Sequence, residues 1–331
     1  MRAFRRILIA VKDPEHAPKV AFAKAGEIAR AYGAKVELFH AIADPVITDS
    51  LRHGGRALSR SEAMQRILDE RGKHLNRLAR AKTLHGVKCS VHVAWDFPAH
   101  EAIVRRALDS KADLVVLESV RHLPGANLVM THSDWELIKS CPCPLLLARA
   151  GRDYRGGVML AAVDPLHSHD KPAALDHELL RLGGSLAKSL QTELDLVHAY
   201  LPLSYHAYTA PGEPVAPVWL PPAVENTHRE RIGNRLAQLA RRYKIPRTRQ
   251  HLVLGDASSE VPAMAKRNRV KLVLMGAVSR RGLSRLFVGH TAQRALNRMP
   301  CDVLVVKPKS FKASVPRNKR TIGPIIGFTV Y

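Results

Sequence analysis

DWELIKSCPCPLLLAR, residues 134–149, and AQRALNRMPCDVLVVK, residues 292–307, follow one plan in one register. In each, a helix-period stretch runs into a cysteine beside proline or aspartate, and a short apolar strand follows. Cys143 stands opposite Cys301, 158 residues on. Working outward, LVVL at Leu114–Leu117 meets LVLM at Leu272–Met275 at the same spacing and without a gap. Further back, VELFHAI at Val36–Ile42 matches LDLVHAY at Leu194–Tyr200, which sets His40 against His198. ILIAVKDP at Ile7–Pro14 is similar to VMLAAVDP at Val158–Pro165, and that match sets Asp13 against Asp164. Self-similarity over so long a stretch marks a duplicated domain rather than a solenoid repeat.

Within each copy, buried strands alternate with helices. Helical periodicity covers Ala17–Tyr32 and Ala173–Leu190. It returns in Ser59–Leu84, with Met64, Ile67, Leu68, Leu75 and Leu78 on one face, and in Glu225–Tyr243, with Ile232, Leu236, Leu239 and Tyr243. VKCSVHVAW and RQHLVL read as third strands, each leading into a helix, Pro98–Ser110 or Ser258–Asn268. The proline-rich stretch Pro202–Pro222 reads as irregular. Strands apolar on both faces and separated by helices predict a parallel, doubly wound sheet. The expected fold is α/β: two tandem five-stranded, Rossmann-like domains at 1–150 and 151–308. A short Gly/Arg linker near residues 149–157 joins them, and a basic tail, 309–331, follows. The tail is either disordered, or an edge strand or docking segment.

The chain has 331 residues, with 52 Lys and Arg against 29 Asp and Glu, a formal charge of +23. That excess favours weak contact with polyanions through a basic surface. Aromatic residues make up only 5%, too few for a stacking platform of the single-strand-binding kind. No apolar run is long enough to span a membrane, and the short ILIAV run reads as a first strand, not a signal peptide. Four cysteines with no CxxC pair predict reduced thiols in a cytoplasmic protein, and no metal site.

In a doubly wound sheet, ligands sit beyond the carboxyl ends of the strands, where the strand order reverses. There copy two carries MGAVSRRGLSRLFVGHTA, residues 275–292. Glycines let a backbone approach phosphate closely, and a helix start offers unpaired N–H groups. This run resembles the G-x2-G-x9-G-[S/T] signature of the universal stress protein A family, with Gly276 and Gly289 as its first and last glycines. The duplicated layout, with a degenerate first loop, is most similar to the E-type tandem subgroup. The resemblance implies adenine nucleotide, ATP in particular, as ligand of copy two. Ala162, Val163, Asp164 and Ala199 would then line base and ribose. Met275, Gly276, Val278, Ser279, Gly289, His290, Thr291 and Ala292 would surround ribose and phosphates. It also implies that the two halves form, within one chain, the pseudo-dimer that single domains form in pairs.

Two positions depart from the signature. Ser279 replaces the second glycine, where it would strain the loop or crowd a phosphate. His290 replaces the final Ser/Thr, where it would donate to phosphate or fill space. Copy one departs further, with Glu118 in place of Gly276, Arg121 of Ser279 and Thr131 of Gly289. No nucleotide is expected there. Glu118, His122, His132 and Asp134 could serve another ligand or a metal, but their spacing fits no standard metal motif, and solvated polar residues explain them as well. No Ser-His-Asp order or nucleophile elbow is legible, so no catalysis beyond slow ATP hydrolysis is expected. The leading function is a regulatory nucleotide-binding stress protein. The alternatives are a binder of an acyl or other apolar small metabolite, or a basic polyanion-associated structural protein.

Overall fold

The computed structural model describes residues 4–42, 60–119, 130–149, 153–166, 173–203, 220–276, 290–313 and 315–317. These fall into two compact units. Unit 1 draws on 1–118, 131–143 and 312–331, and unit 2 on 119–130 and 144–311.

Unit 1 contains β1 (Arg6–Ala10), β2 (Lys35–Ile42), β3 (Cys89–Trp95) and β4 (Leu114–Glu118), in the order β3-β2-β1-β4 and all parallel. Helices α1 (Lys19–Tyr32), α2 (Arg60–Leu78), α3 (Ala99–Asp109) and α4 (His132–Ser140) complete it. Ile7, Leu8 and Ile9 are almost wholly buried, as strands covered on both faces must be. On α1 the apolar positions Ala21, Phe22, Ala25, Ile28, Ala29 and Tyr32 face the core. The helix stops at Gly33, whose φ of 64° is left-handed and whose N–H returns to the Ala29 carbonyl. The predicted helix Ser59–Leu84 is shorter in fact: it ends at Leu78, and Lys82–Leu84 forms a separate 3₁₀ turn.

One buried cluster in unit 1 has no counterpart in the sequence-based reading. Arg105, its side chain 6% exposed, donates to Asp96 at 2.7 and 2.9 Å, to Glu101 at 3.0 Å and to the Pro316 carbonyl at 3.0 Å. Burial pushes the Arg105 pKa down, and the hydrogen bonds to the two carboxylates more than reverse it. The Pro316 carbonyl is thus held by a residue of α3. Residues 318–331 lie outside the described residues.

Unit 2 contains β5 (Leu145–Ala148), β6 (Val158–Ala162), β7 (Glu193–Tyr200), β8 (Gln250–Leu254), β9 (Leu272–Gly276) and β10 (Asp302–Val306), in the order β5-β10-β9-β6-β7-β8. Its helices are α5 (Ala173–Leu190), α6 (Pro222–Arg242), α7 (Ala257–Arg267) and α8 (His290–Arg298). Among the described residues each copy of the repeat supplies five strands, as expected. However, β5, the last strand of copy one, runs antiparallel to β10, with Leu146 opposite Leu304. All four residues of β5 are buried, and pairing covers an edge that would otherwise expose backbone donors beside an apolar strip. Asp302, fully buried at the start of β10, accepts from the Tyr154 hydroxyl and the Arg149 N–H, both at 2.7 Å.

Candidate functional site

In unit 2 the strand order reverses between β6 and β9. Ala162 lies directly across from Met275, and Gly276 across from Val306. The backbone then carries Val163 and Asp164 past the end of β6. The Val163 N–H bonds to the Val197 carbonyl at 3.0 Å, and the Asp164 N–H to the buried Asp176 carboxylate at 3.0 Å. Ala199 reaches the same end on β7. Helix α8 opens at His290 with no acidic residue in its first turn. Thr291 is exposed and Ala292 half-buried. The structure thus brings Ala162, Val163, Asp164, Ala199, Met275 and Gly276 to the carboxyl ends of the strands. Val278, Ser279, Gly289 and the His290 side chain lie outside the described residues.

Unit 1 holds a cavity of about 630 Å³ at the carboxyl ends of β1, β2 and β4, beside the first turns of α3 and α4. Val11, Phe39, Ile42, Ile103, Leu117 and Leu137 give it apolar walls. Its charges are paired in place. Lys12 meets Asp134 at 2.7 Å, Arg71 meets Glu15 at 2.7 Å, and Asp13 meets His16 at 2.7 Å. The hydrogen bond from His16 holds the Asp13 carboxyl below its usual range. Asp134 is further committed to a capping box, accepting from the Thr131 N–H while Thr131 Oγ1 accepts from the Asp134 N–H. His40 donates from Nδ1 to the Val11 carbonyl at 2.9 Å, and burial pushes its pKa down. Burial does the same to His100.

The sheet register corrects one sequence match. Ala10 pairs with Phe39, and Ala162 with Val197. Ile7 pairs with Leu114, and Met159 with Leu272. The equivalent of Asp164 is therefore Lys12, not Asp13. Copy one has exchanged an acid for a base at the end of its first strand, and Asp13 sits one residue further along. The match of Glu118 to Gly276 stands. The Glu118 carboxylate nevertheless does not face the cavity as a block to phosphate: it accepts from the Ala21 N–H at 2.9 Å and caps α1. Among the described residues no group of three or more His, Cys, Asp or Glu could hold a metal ion. His122 lies outside them.

Two segments, 3–149 and 158–307, match the family model described as the universal stress protein family. The chain belongs to the universal stress protein family. It is 25% identical over 326 residues to Universal stress protein E of Escherichia coli (strain K12), covering 95% of this chain and 98% of the relative. Its fold is similar to that of a functionally unknown protein from Pseudomonas aeruginosa PAO1, with a TM-score of 0.67 at 21% identity over 94% and 95% of the two chains. A universal stress protein from Archaeoglobus fulgidus DSM 4304 gives a TM-score of 0.56 at 13% identity over 92% and 98%. The chain is thus a tandem of two universal stress protein domains.

In this tandem stress protein, sequence reasoning missed several residues of the first domain's cavity, among them Lys12, Glu15, Arg71 and His100. Lys12 could have been found by fixing the strand register before matching motifs. His100, in the first turn of α3, left no signal among 17 histidines. No helix among the described residues is long and apolar enough to cross a membrane.

Proposed function

We propose that this stress-response protein is a cytoplasmic regulator whose second domain, residues 151–308, binds an adenine nucleotide such as ATP, while the first, residues 1–150, does not. The observation that carries this reading is the contrast between equivalent helix starts. In copy one the α4 N-terminus is closed by Thr131 and Asp134, and Asp134 is held in turn by Lys12. In copy two those positions are Gly289, Ala292 and Asp164, and α8 has no acid of its own in its first turn. A helix start without an acid of its own in the first turn favours an anion. Asp164 and Ala199 would face base and ribose, with Gly276, Gly289, Thr291 and Ala292 around the phosphates.

Calorimetric titration with ATP tests the assignment. Asp164→Ala and Gly289→Val are expected to lose binding, the latter by placing a branched side chain where backbone must approach phosphate. Lys12→Ala and Asp13→Ala are expected to bind as wild type does. Wild-type affinity in Gly289→Val with an unchanged melting temperature would make the loop a relic.

A second reading concerns the basic surface. Arg231, Arg235 and Arg242 lie exposed on α6 at i, i+4 and i+11, along one edge of the helix. They would supply a weak polyanion contact. Retention on duplex DNA should fall steeply with salt, and charge reversal at the three arginines should remove most of it. Equal retention in the reversed variant would discard this contact.

A further inference from the structure

The cavity of unit 1 has the wrong chemistry for a phosphorylated ligand. Two cations, Lys12 and Arg71, line it against three carboxylates, Asp13, Glu15 and Asp134. Lys12 pairs with Asp134 and Arg71 with Glu15, each at 2.7 Å, and Asp13 is hydrogen-bonded at 2.7 Å to His16, which is charged only when protonated. An incoming anion would have to break one of these pairs and would meet an excess of negative charge. The walls between the charges are apolar, and about 630 Å³ is ample for a small organic molecule.

One ring nitrogen gives this space direction. His40 spends its Nδ1 proton on the Val11 carbonyl, so its Nε2 carries a lone pair and can only accept. That acceptor suits a ligand hydroxyl or N–H donor. The His40 and His100 rings both line the cavity, and burial disfavours the charged form of each.

We propose that unit 1 is a binding site for an uncharged, largely apolar small molecule carrying a hydroxyl or N–H group, which donates to His40 Nε2. This site is independent of the nucleotide reading of unit 2 and stands if that reading fails. Its selectivity comes from pre-paired charges: neutral molecules displace only water, whereas anions must also separate an ion pair.

N-phenylnaphthylamine is a suitable probe, because it is neutral, apolar and carries one N–H. Its sulfonated relative, anilinonaphthalenesulfonate, adds only an anion to a similar scaffold. In a fluorescence titration of the full chain, the neutral probe should bind one molecule per chain, and the sulfonate at least tenfold more weakly. Ala99→Trp places an indole in the cavity from the first turn of α3 and should abolish binding. If that variant fails to fold, Ala99→Leu carries the same test with a smaller expected loss. Equal affinity for the two probes would overturn the proposal, as would undiminished binding in a folded Ala99→Trp or Ala99→Leu chain.

Discussion

Replacing Arg105 with alanine should unfold unit 1 far more readily than unit 2. The guanidinium is 6% exposed and meets carboxylates that are themselves 4% and 12% exposed. Removing it leaves Asp96 and Glu101 without their shared cation and frees the Pro316 carbonyl. Breaking a buried ion pair from one side costs about 3–5 kcal/mol, because the remaining charge stays buried. At about 1.4 kcal/mol per tenfold, the population of opened unit 1 should rise roughly a hundred- to several-thousand-fold. Hydrogen exchange read by mass spectrometry on peptides from β3 and α3 measures this directly, with β9 peptides as the internal control. The triple variant Asp96→Ala, Glu101→Ala, Arg105→Met removes charges and cation together and should recover most of the loss. A cost below about 1 kcal/mol in Arg105→Ala, or equal acceleration in β9, would refute the argument that this cluster is a buried network specific to unit 1.

Further outcomes follow from other sites. Tyr154→Phe removes a 2.7 Å bond to buried Asp302 and should cost about 1.5–3 kcal/mol in chemical denaturation. Gln191 occupies, at φ 53°, the left-handed helix end that Gly33 occupies in copy one, so Gln191→Gly should raise stability by about 1 kcal/mol. Burial lowers the pKa of His40 and of His100 in the folded protein, so the unfolded chain binds more protons once the pH falls below the ordinary histidine value of about 6.5. Their contribution is present at neutral pH and is lost as the pH falls through the folded pKa values. His40→Gln combined with His100→Gln should therefore flatten the loss of stability between about pH 7 and 5. His16, exposed and paired with Asp13, shifts the other way and opposes the trend only weakly.

The duplication and the alternation of strand and helix were legible because both leave periodic traces. The exact register of β1 was not. A one-residue slip in a half-buried strand would turn its apolar face to solvent and betray itself. In β1 and β6 every residue but Arg6 is apolar and at least half-buried, so either register satisfies the pattern, and the shared Asp-Pro pair decided wrongly between them. The partner of β5 was illegible for the same reason: LLLA is apolar on both faces and carries no mark of which neighbour it takes. The candidate nucleotide residues were legible only through the glycine spacing. The cavity of unit 1 was not legible at all, because its chemistry comes from pairs far apart in sequence, such as Lys12 with Asp134.

The pairing of β5 with β10 also sets a schedule for synthesis. β5 ends at Ala148 and β10 begins at Asp302. A ribosome adding about 5–20 residues per second leaves β5 waiting roughly 8–30 s for its antiparallel neighbour. During that interval a fully apolar strand has one edge unclaimed on a nascent chain, within reach of the same strand on neighbouring nascent chains. A chain severed between the two repeats would never end that wait. Its first fragment would keep a sticky edge and its second would lack a strand. The repeat boundary written in the sequence is thus a poor place to cut this protein.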